Sequence, residues 1–379
     1  MRIVIAPDSF KGSLDAAAAA EAIGSGWRAA RPLDEVMLLP QADGGEGTLD
    51  AIASAVHGAV LHDVRPVTGP DGRPVDGHWL ELPDGTAVVE LALSSGLPLM
   101  ARPDPLGATT RGLGEVIAAA LDAGATALVI GLGGSASTDG GAGALRALGL
   151  ELLDATGSPL PDGGKGLGRL DRVDATRLRP PPARGVRLLS DVTAPLLGPT
   201  GAAAVFGPQK GANASDVATL DAALARFADV LRHTPVVTDS PSQLECAAGA
   251  GAAGGTGFGF LALWGAEIEA GSAAIAELTA LGTAAASTDV VLTGEGRYDA
   301  TSSTGKVVGH AFALTDAGTA RPGLIAGSIA AVPITPAGRE VWSVSLVDLA
   351  GSFEGALDDP VRWLYAAGIA AAQALGTEN

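Results

Sequence analysis

LVIGLGGSASTDGGAG, residues 128–143, is the stretch whose reading decides the fold. Three apolar residues, Leu128, Val129 and Ile130, give way to six glycines mixed with Ser135, Ser137, Thr138 and one charge, Asp139. A buried strand that breaks into a glycine- and hydroxyl-rich loop before a helix suits the cupping of phosphate, because bare backbone N–H groups approach an anion closely. The order strand, loop, helix is that of an α/β protein.

The same texture recurs outward from this stretch. Residues 2–6 read as a buried strand that delivers Pro7, Asp8, Ser9, Phe10, Lys11 and Gly12, followed by an Ala-rich helix to about residue 30. Residues 36–40 are a second apolar run, and it ends in Gln41, Asp43, Gly44, Gly45 and Glu46. Residues 63–83 (DVRPVTGPDGRPVDGHWLELP) change to alternating apolar residues with Pro, Gly and Asp, which suits antiparallel hairpins and marks a domain crossing. A strand at 87–91, a loop at 93–99 and a helix at 112–123 precede the opening stretch. After it, residues 158–184 read as a surface run and 186–190 as a strand delivering Asp191. Helices follow at 215–231 and 271–281. A strand at 289–293 ends in Glu295, Arg297 and Asp299, and a helix at 360–375 closes the chain. Five strands of parallel character thus end in chemistry: Asp8 with Lys11, Asp43 with Glu46, the loop from Gly133 to Asp139, Asp191, and Glu295 with Asp299. Helix caps explain one or two such endings, whereas ligands in open α/β sheets bind beyond the carboxyl ends of strands.

Composition narrows the classes. A chain of 379 residues, 47% hydrophobic and 17% charged, has the length for two α/β domains with sizeable cores. A net charge of -18 argues against a nucleic-acid or anionic-membrane partner. Cys246 is the sole cysteine, so neither an intrachain disulfide nor a thiolate cluster forms. MRIVIAPDSF opens the chain as a strand without a signal-peptide pattern, which gives the expectation of a cytoplasmic protein. Residues 246–266 carry no charge and are long enough to span a bilayer. Their first half is Ala and Gly interrupted by Gly-Thr-Gly, so a buried turn leading into a helix is expected instead.

Familiar nucleotide signatures fit poorly. Gly131, Gly133 and Ala136 match the dinucleotide pattern G-x-G-x-x-A, but seven residues delay the helix, and Asp139 would repel a bare pyrophosphate. A hydroxy-acid dehydrogenase is therefore the weaker reading. Lys165, Lys210 and Lys306 lie near glycines without completing a P-loop, and the protein-kinase motifs are missing. The five histidines are scattered without zinc spacing. Carboxylates at loop tips beside Ser and Thr suit Mg²⁺, and glycine amides, Mg²⁺ and an isolated lysine are the parts of phosphoryl transfer.

Seven segments in order carry a resemblance: APDSFKGSL (6–14), QADGGEGT (41–48), GLGGSASTDGGAG (131–143), SDVTAPLLG (190–198), VFGPQKGA (205–212), GAGAAGGTGFG (249–259) and TGEGRYD with its following GK (293–306). Together they resemble the bacterial glycerate kinases of the type-1 family over nearly the whole chain. The resemblance implies ATP-dependent phosphorylation of D-glycerate with Mg²⁺, giving 2-phosphoglycerate in most relatives; phosphorylation at the 3-hydroxyl or of a related hydroxy acid is the alternative. It also implies two three-layer α/β domains with the active site in the cleft between them. A Rossmann-like domain, residues 1–62 and 283–379, carries a second α/β domain, residues 63–282, as an insertion. The protein is expected as a monomer or homodimer. Where the family usually has Asn, Asn and Gln, this chain has Thr138, Ala194 and Thr301.

Roles follow as expectations. Lys11, Arg297 and Lys306 are the candidates for the carboxylate of a small anion. Asp191 is the first choice to accept the proton of its hydroxyl and Asp8 the second, which with Lys11 makes the catalytic set. Ser9, Asp43, Gly44, Gly45 and Glu46 join Arg297 and Lys306 in binding substrate. Gly133, Gly134, Ser135 and Thr138 hold the ATP phosphates, and Asp139, Glu295 and Asp299 hold the metal.

Overall fold

The computed structural model describes residues 1–234, 241–302 and 306–376, and among these the chain is a mixed α/β protein with one all-parallel sheet, one mixed sheet and a two-stranded antiparallel ribbon, Glu151–Leu153 with Arg172–Asp174. In chain order the strands are β1 (Arg2–Pro7), β2 (Glu35–Leu38), β3 (Val60–Thr68), β4 (Pro74–Glu81), β5 (Thr86–Glu90) and β6 (Ala127–Gly131). They continue as β7 (Glu151–Leu153), β8 (Arg172–Asp174), β9 (Val186–Leu189), β10 (Glu267–Glu269), β11 (Val290–Tyr298), β12 (Arg321–Ile329) and β13 (Trp342–Ser345). Two compact units share them: Met1–Asp43, Asp50–His57 and Ala270–Asn379 form the first, Gly44–Leu49 and Gly58–Glu269 the second. Helix Gly271–Leu278 belongs to the first because Ala276 packs with Val4, Ala6 and Leu39, and Gln41 donates its amide to the Thr279 hydroxyl at 3.0 Å. The return to the first unit therefore precedes the change of texture at residue 283.

In the first unit the order is β13-β12-β11-β1-β2, every pairing parallel. The run Ile3, Val4, Ile5, Ala6 is continuous because both faces of the sheet are covered. Ile3 and Ile5 point into a core built with helices Ala16–Ala30 and Pro360–Leu375, while Val4 and Ala6 point the other way onto Leu39, Ala276 and Leu281. The sequence ends the fifth strand-end run at Thr293, yet β11 runs on to Tyr298. Its neighbour β12 keeps pairing it, with Glu295 opposite Ala326, Arg297 opposite Ser328 and Tyr298 opposite Ile329. Glu295 is thus held by a strand rather than by a loop.

In the second unit the order is β10-β9-β6-β5-β4-β3, with β3, β4 and β5 antiparallel and the others parallel. The hairpins expected from residues 63–83 are β3 and β4, closed by the Gly69 N–H to Arg73 carbonyl bond of 2.7 Å. Two expectations are corrected. Residues 93–99 are not a loop: helix Ala92–Ser95 and a 3₁₀ turn Leu97–Leu99 occupy them, and the Ser95 carbonyl takes the Ala136 N–H at 3.0 Å. Residues 158–184 do not simply run over the surface, because Leu160, Leu167 and Leu170 are buried in the same core as Leu224 and Phe227 of helix Ala214–Leu231.

The opening stretch is gripped on two sides within this unit. Gly133 donates to the Gly44 carbonyl at 3.0 Å, and a methyl group on it would lie 2.3 Å from the Gly45 Cα, so only glycine fits. On the other side Gly254, at φ +67°, accepts the Gly140 N–H at 3.0 Å. That left-handed kink, Ala253 to Gly255, interrupts helix Ala252–Trp264, and among the described residues no helix is long and apolar enough to cross a membrane.

Candidate functional site

Each unit carries a cavity at the carboxyl ends of its parallel strands. In the first it measures about 420 Å³, and its polar wall is Asp8, Ser9, Lys11, Asp43, Glu295 and Arg297, with Lys306 at the start of helix Val307–Asp316. Local chemistry sets the Asp8 loop. The Asp8 N–H donates to the Gly294 carbonyl at 2.8 Å, extending the β1–β11 register, and Asp8 Oδ1 accepts the Ser9 N–H at 2.6 Å. Phe10 is buried and anchors the turn, Ser13 caps its carbonyl at 2.8 Å, and Asp15 accepts the Ala18 N–H to start the helix. Lys11 is left at the exposed tip, its Nζ 3.9 Å from Asp43 Oδ2.

Three carboxylates face this cavity, and the electrostatics follow. Burial, then the charge of Asp43, pushes the Asp8 carboxyl up to about 7; the Ser9 N–H and Lys11 oppose the rise, and Glu295 adds to it. Burial likewise raises Glu295 above its ordinary value against a hydrogen bond from Ser302 and the charge of Lys306. Glu295 Oε1 is buried without a hydrogen-bond partner among the described residues. An orphaned carboxylate oxygen among other carboxylates fits a hard cation, which takes oxygen ligands. Among the described residues no three His, Cys, Asp or Glu converge to hold a metal, and Mg²⁺ needs only one or two carboxylates beside water and phosphate.

Asp299 does not join that set. It is absent from the cavity wall, and its Oδ1 takes the Thr301 N–H at 2.9 Å and hydroxyl at 2.7 Å, which hold its carboxyl below the ordinary range. It builds the turn after β11, and Thr301, where the resembled family has Gln, is the residue that closes this turn.

The second unit's cavity, about 480 Å³, is lined by Gly133, Gly134 and Ser135 together with Glu46, Ser190 and Lys210. The expected phosphate loop therefore does present an open face. Its aspartate does not. Asp139 is fully buried, with Oδ2 accepting the Thr110 N–H and hydroxyl at 2.9 Å each and the Gly143 N–H at 3.2 Å, while Oδ1 accepts the Gly141 N–H at 3.2 Å. Burial raises its carboxyl above the ordinary value although those donors oppose it. This is the geometry of a carboxylate that ties a loop to the neighbouring chain, so the metal role expected of Asp139 is withdrawn. Thr138 is also buried inside the loop rather than on the cavity wall, its hydroxyl and that of Ser137 without partners among the described residues.

The remaining expected residues divide between the units. Gly44 and Gly45 are buried beneath residue 133 and serve as its floor. Asp191 is exposed after β9; Ser190 and Val192 line the second cavity and Asp191 does not. Two buried side chains beside these loops escaped sequence reading. Glu90, buried at the end of β5, accepts the Gly47 and Leu49 N–H groups at 3.2 Å each and holds the 44–49 loop; nothing in VVELAL signals this. Lys210 is buried too, its ammonium donating to Ser135 Oγ at 2.8 Å and to the Ser137 carbonyl at 2.5 Å. Its signal was present in VFGPQKGA, a lysine between glycines, but burial is not legible in a motif.

Known proteins are similar to this chain over most or all of its length. The model of the Glycerate kinase family matches residues 3–375. The glycerate kinase of Bacillus subtilis (strain 168) is 45% identical over 311 residues, 81% of this chain and 79% of that protein. The glycerate 2-kinase of Escherichia coli (strain K12) is 43% identical over 311 residues, 81% of this chain and 80% of that protein. A crystal structure from Salmonella typhimurium LT2, assigned as glycerate kinase 2, superposes with a TM-score of 0.83 at 37% identity, covering 99% of this chain and 98% of that one. With its strand-end loops and both cavities inside the matched span, the chain belongs to the glycerate kinase family.

Proposed function

We propose that the chain transfers the γ-phosphoryl group of ATP to the 2-hydroxyl of D-glycerate, with Mg²⁺. The observation that carries the acceptor side is the first unit's cavity, where a carboxyl raised to about 7 stands among Lys11, Arg297 and Lys306. Glycerate is a small anion, and the three cations supply charge-assisted partners for its carboxylate. Asp8, poised near neutrality, accepts the hydroxyl proton as the hydroxyl attacks phosphorus. The raised carboxyl of the half-buried Asp8 and the exposure of Asp191 favour Asp8 over the first choice given by sequence, and Asp191 keeps a secondary place. Backbone N–H groups of residues 134 and 135 hold the ATP phosphates, the Gly133 N–H being taken by the Gly44 carbonyl. Glu295 and Asp43 would hold Mg²⁺, which neutralises phosphate charge when bound. The name of the Escherichia coli relative supports the 2-position.

A coupled ADP-release assay across glycerate, lactate, tartronate and glycolate tests the substrate, and ³¹P NMR reads the phosphorylated position. Glycerate-dependent ADP and a 2-phosphate signal are expected. A 3-phosphate signal would move the reading to the other hydroxyl, and a change in nicotinamide absorbance without ADP would restore the dehydrogenase. Chelation with EDTA should abolish ADP release, restored by added Mg²⁺; undiminished turnover in EDTA removes the metal from the proposal. Lys306→Ala should raise the KM for glycerate about tenfold with a smaller change in kcat, the pattern of lost ground-state binding. Unaltered steady-state constants would remove Lys306 from the substrate.

A further inference from the structure

A buried ammonium needs an anion or a full set of acceptors, because moving the charge out of water is costly. Lys210, on the 3₁₀ turn Pro208–Lys210, has neither among the described residues. An ammonium carries three donors, and the two hydrogen bonds of Lys210 go to a hydroxyl and a carbonyl, both neutral. Asp139 acts on it only through space, its own oxygens being taken by the Thr110, Gly141 and Gly143 donors. Lys210 nevertheless stands on the wall of the cavity that Gly133, Gly134 and Ser135 line.

We propose that Lys210 is the cation of an oxyanion pocket, its ammonium meeting a phosphate oxygen of the nucleotide that lies on the backbone of residues 133–135. The inference rests on the reading of that loop as the phosphate-holding one, and adds to it the charge that glycine amides lack. Ser135 has two tasks in this arrangement: its backbone belongs to the loop, and its hydroxyl holds Lys210 in place. The carboxylates around the ammonium are Asp139, buried and internally satisfied, and Glu46, exposed on the cavity wall. Burial alone holds the unliganded lysine well below its ordinary value, at about 7, with Asp139 opposing. A bound phosphate favours the charged form, so at pH 8 binding draws a proton from the buffer.

The test measures ATP binding by titration calorimetry for the full chain and for Lys210→Met and Lys210→Arg, with circular dichroism to confirm folding. Lys210→Met is expected to weaken ATP at least tenfold, the loss of a charge-assisted hydrogen bond, and to leave glycerate binding unchanged; Lys210→Arg should recover part of the loss. At pH 8 the wild type should show proton uptake, read as a binding enthalpy that varies with the ionisation enthalpy of the buffer, and Lys210→Met should show none. A purely structural lysine would not produce that uptake. Hydrogen exchange of the amides of residues 134 and 135 separates the two readings. Equal ATP affinity in Lys210→Met, with those amides protected by ATP in the wild type, overturns the lysine inference and leaves the phosphate loop standing. Equal affinity with the amides unprotected overturns both. Should Lys210→Met fail to fold, wild-type proton uptake at pH 8 decides, and its absence overturns the inference.

Discussion

Asp8→Asn is expected to lower kcat for glycerate by about 10²- to 10⁴-fold, the usual contribution of a positioned base, with a small change in KM. Asn keeps the shape and the acceptor for the Ser9 N–H but cannot take a proton. The fold should survive the change for a physical reason. A carboxyl raised to about 7 from 3.8 is neutral in the folded protein at mildly acidic pH, so an uncharged amide replaces it at low cost. The sign is specific: a raised carboxyl contributes stability that is fully present below 3.8 and is lost as pH rises through about 7. Asp8→Asn should therefore melt no lower than the wild type at pH 8 while being nearly inactive. The wild-type kcat/KM should climb through pH 7 as Asp8 ionises, and the variant's residual activity should lack that limb. Near-normal turnover in Asp8→Asn, with a large loss in Asp191→Ala, would return the proton-accepting role to Asp191.

Asp139→Ala is expected to cost about 3–5 kcal/mol of folding stability, measured by urea denaturation. The variant strands the Thr110, Gly141 and Gly143 N–H groups in a fully buried site, and each unsatisfied donor is expensive. The loop that forms the second cavity should loosen with it, so turnover falls through folding rather than through metal loss. A Mg²⁺ ligand would behave in the opposite way: the alanine variant would denature with the wild type and need more Mg²⁺ for half-maximal activity. That second pattern would reinstate the metal role that the hydrogen bonds argue against.

Much of the fold was legible because its signals are local. The run at residues 3–6 needed only its unbroken apolar character to be a doubly covered strand, and Pro360–Leu375 has its boundaries written in a proline at the first turn and a glycine past the last. The end of β11 was not legible, since Gly294, Glu295 and Gly296 read as a loop, and it is pairing with β12, joined at Gly294 by β1, that keeps them extended. The site divides the same way. Asp8, Lys11 and Glu295 were found from strand ends, whereas Glu90 and Lys210 act through burial and partners that no spacing encodes.

By itself the sequence determined the α/β class, the strand-end loops and the family, because glycines, carboxylates and apolar runs in fixed order report backbone conformation and local chemistry. The tertiary structure alone decided which of these residues face a cavity. Asp139 and Lys210 show why: both belong to glycine-rich motifs and both are buried, but one has every oxygen satisfied by neighbouring N–H and O–H donors, while the other, on a cavity wall, bonds only a hydroxyl and a carbonyl. Whether a charge is satisfied depends on distances between segments far apart in the chain, and those are fixed only when the core packs.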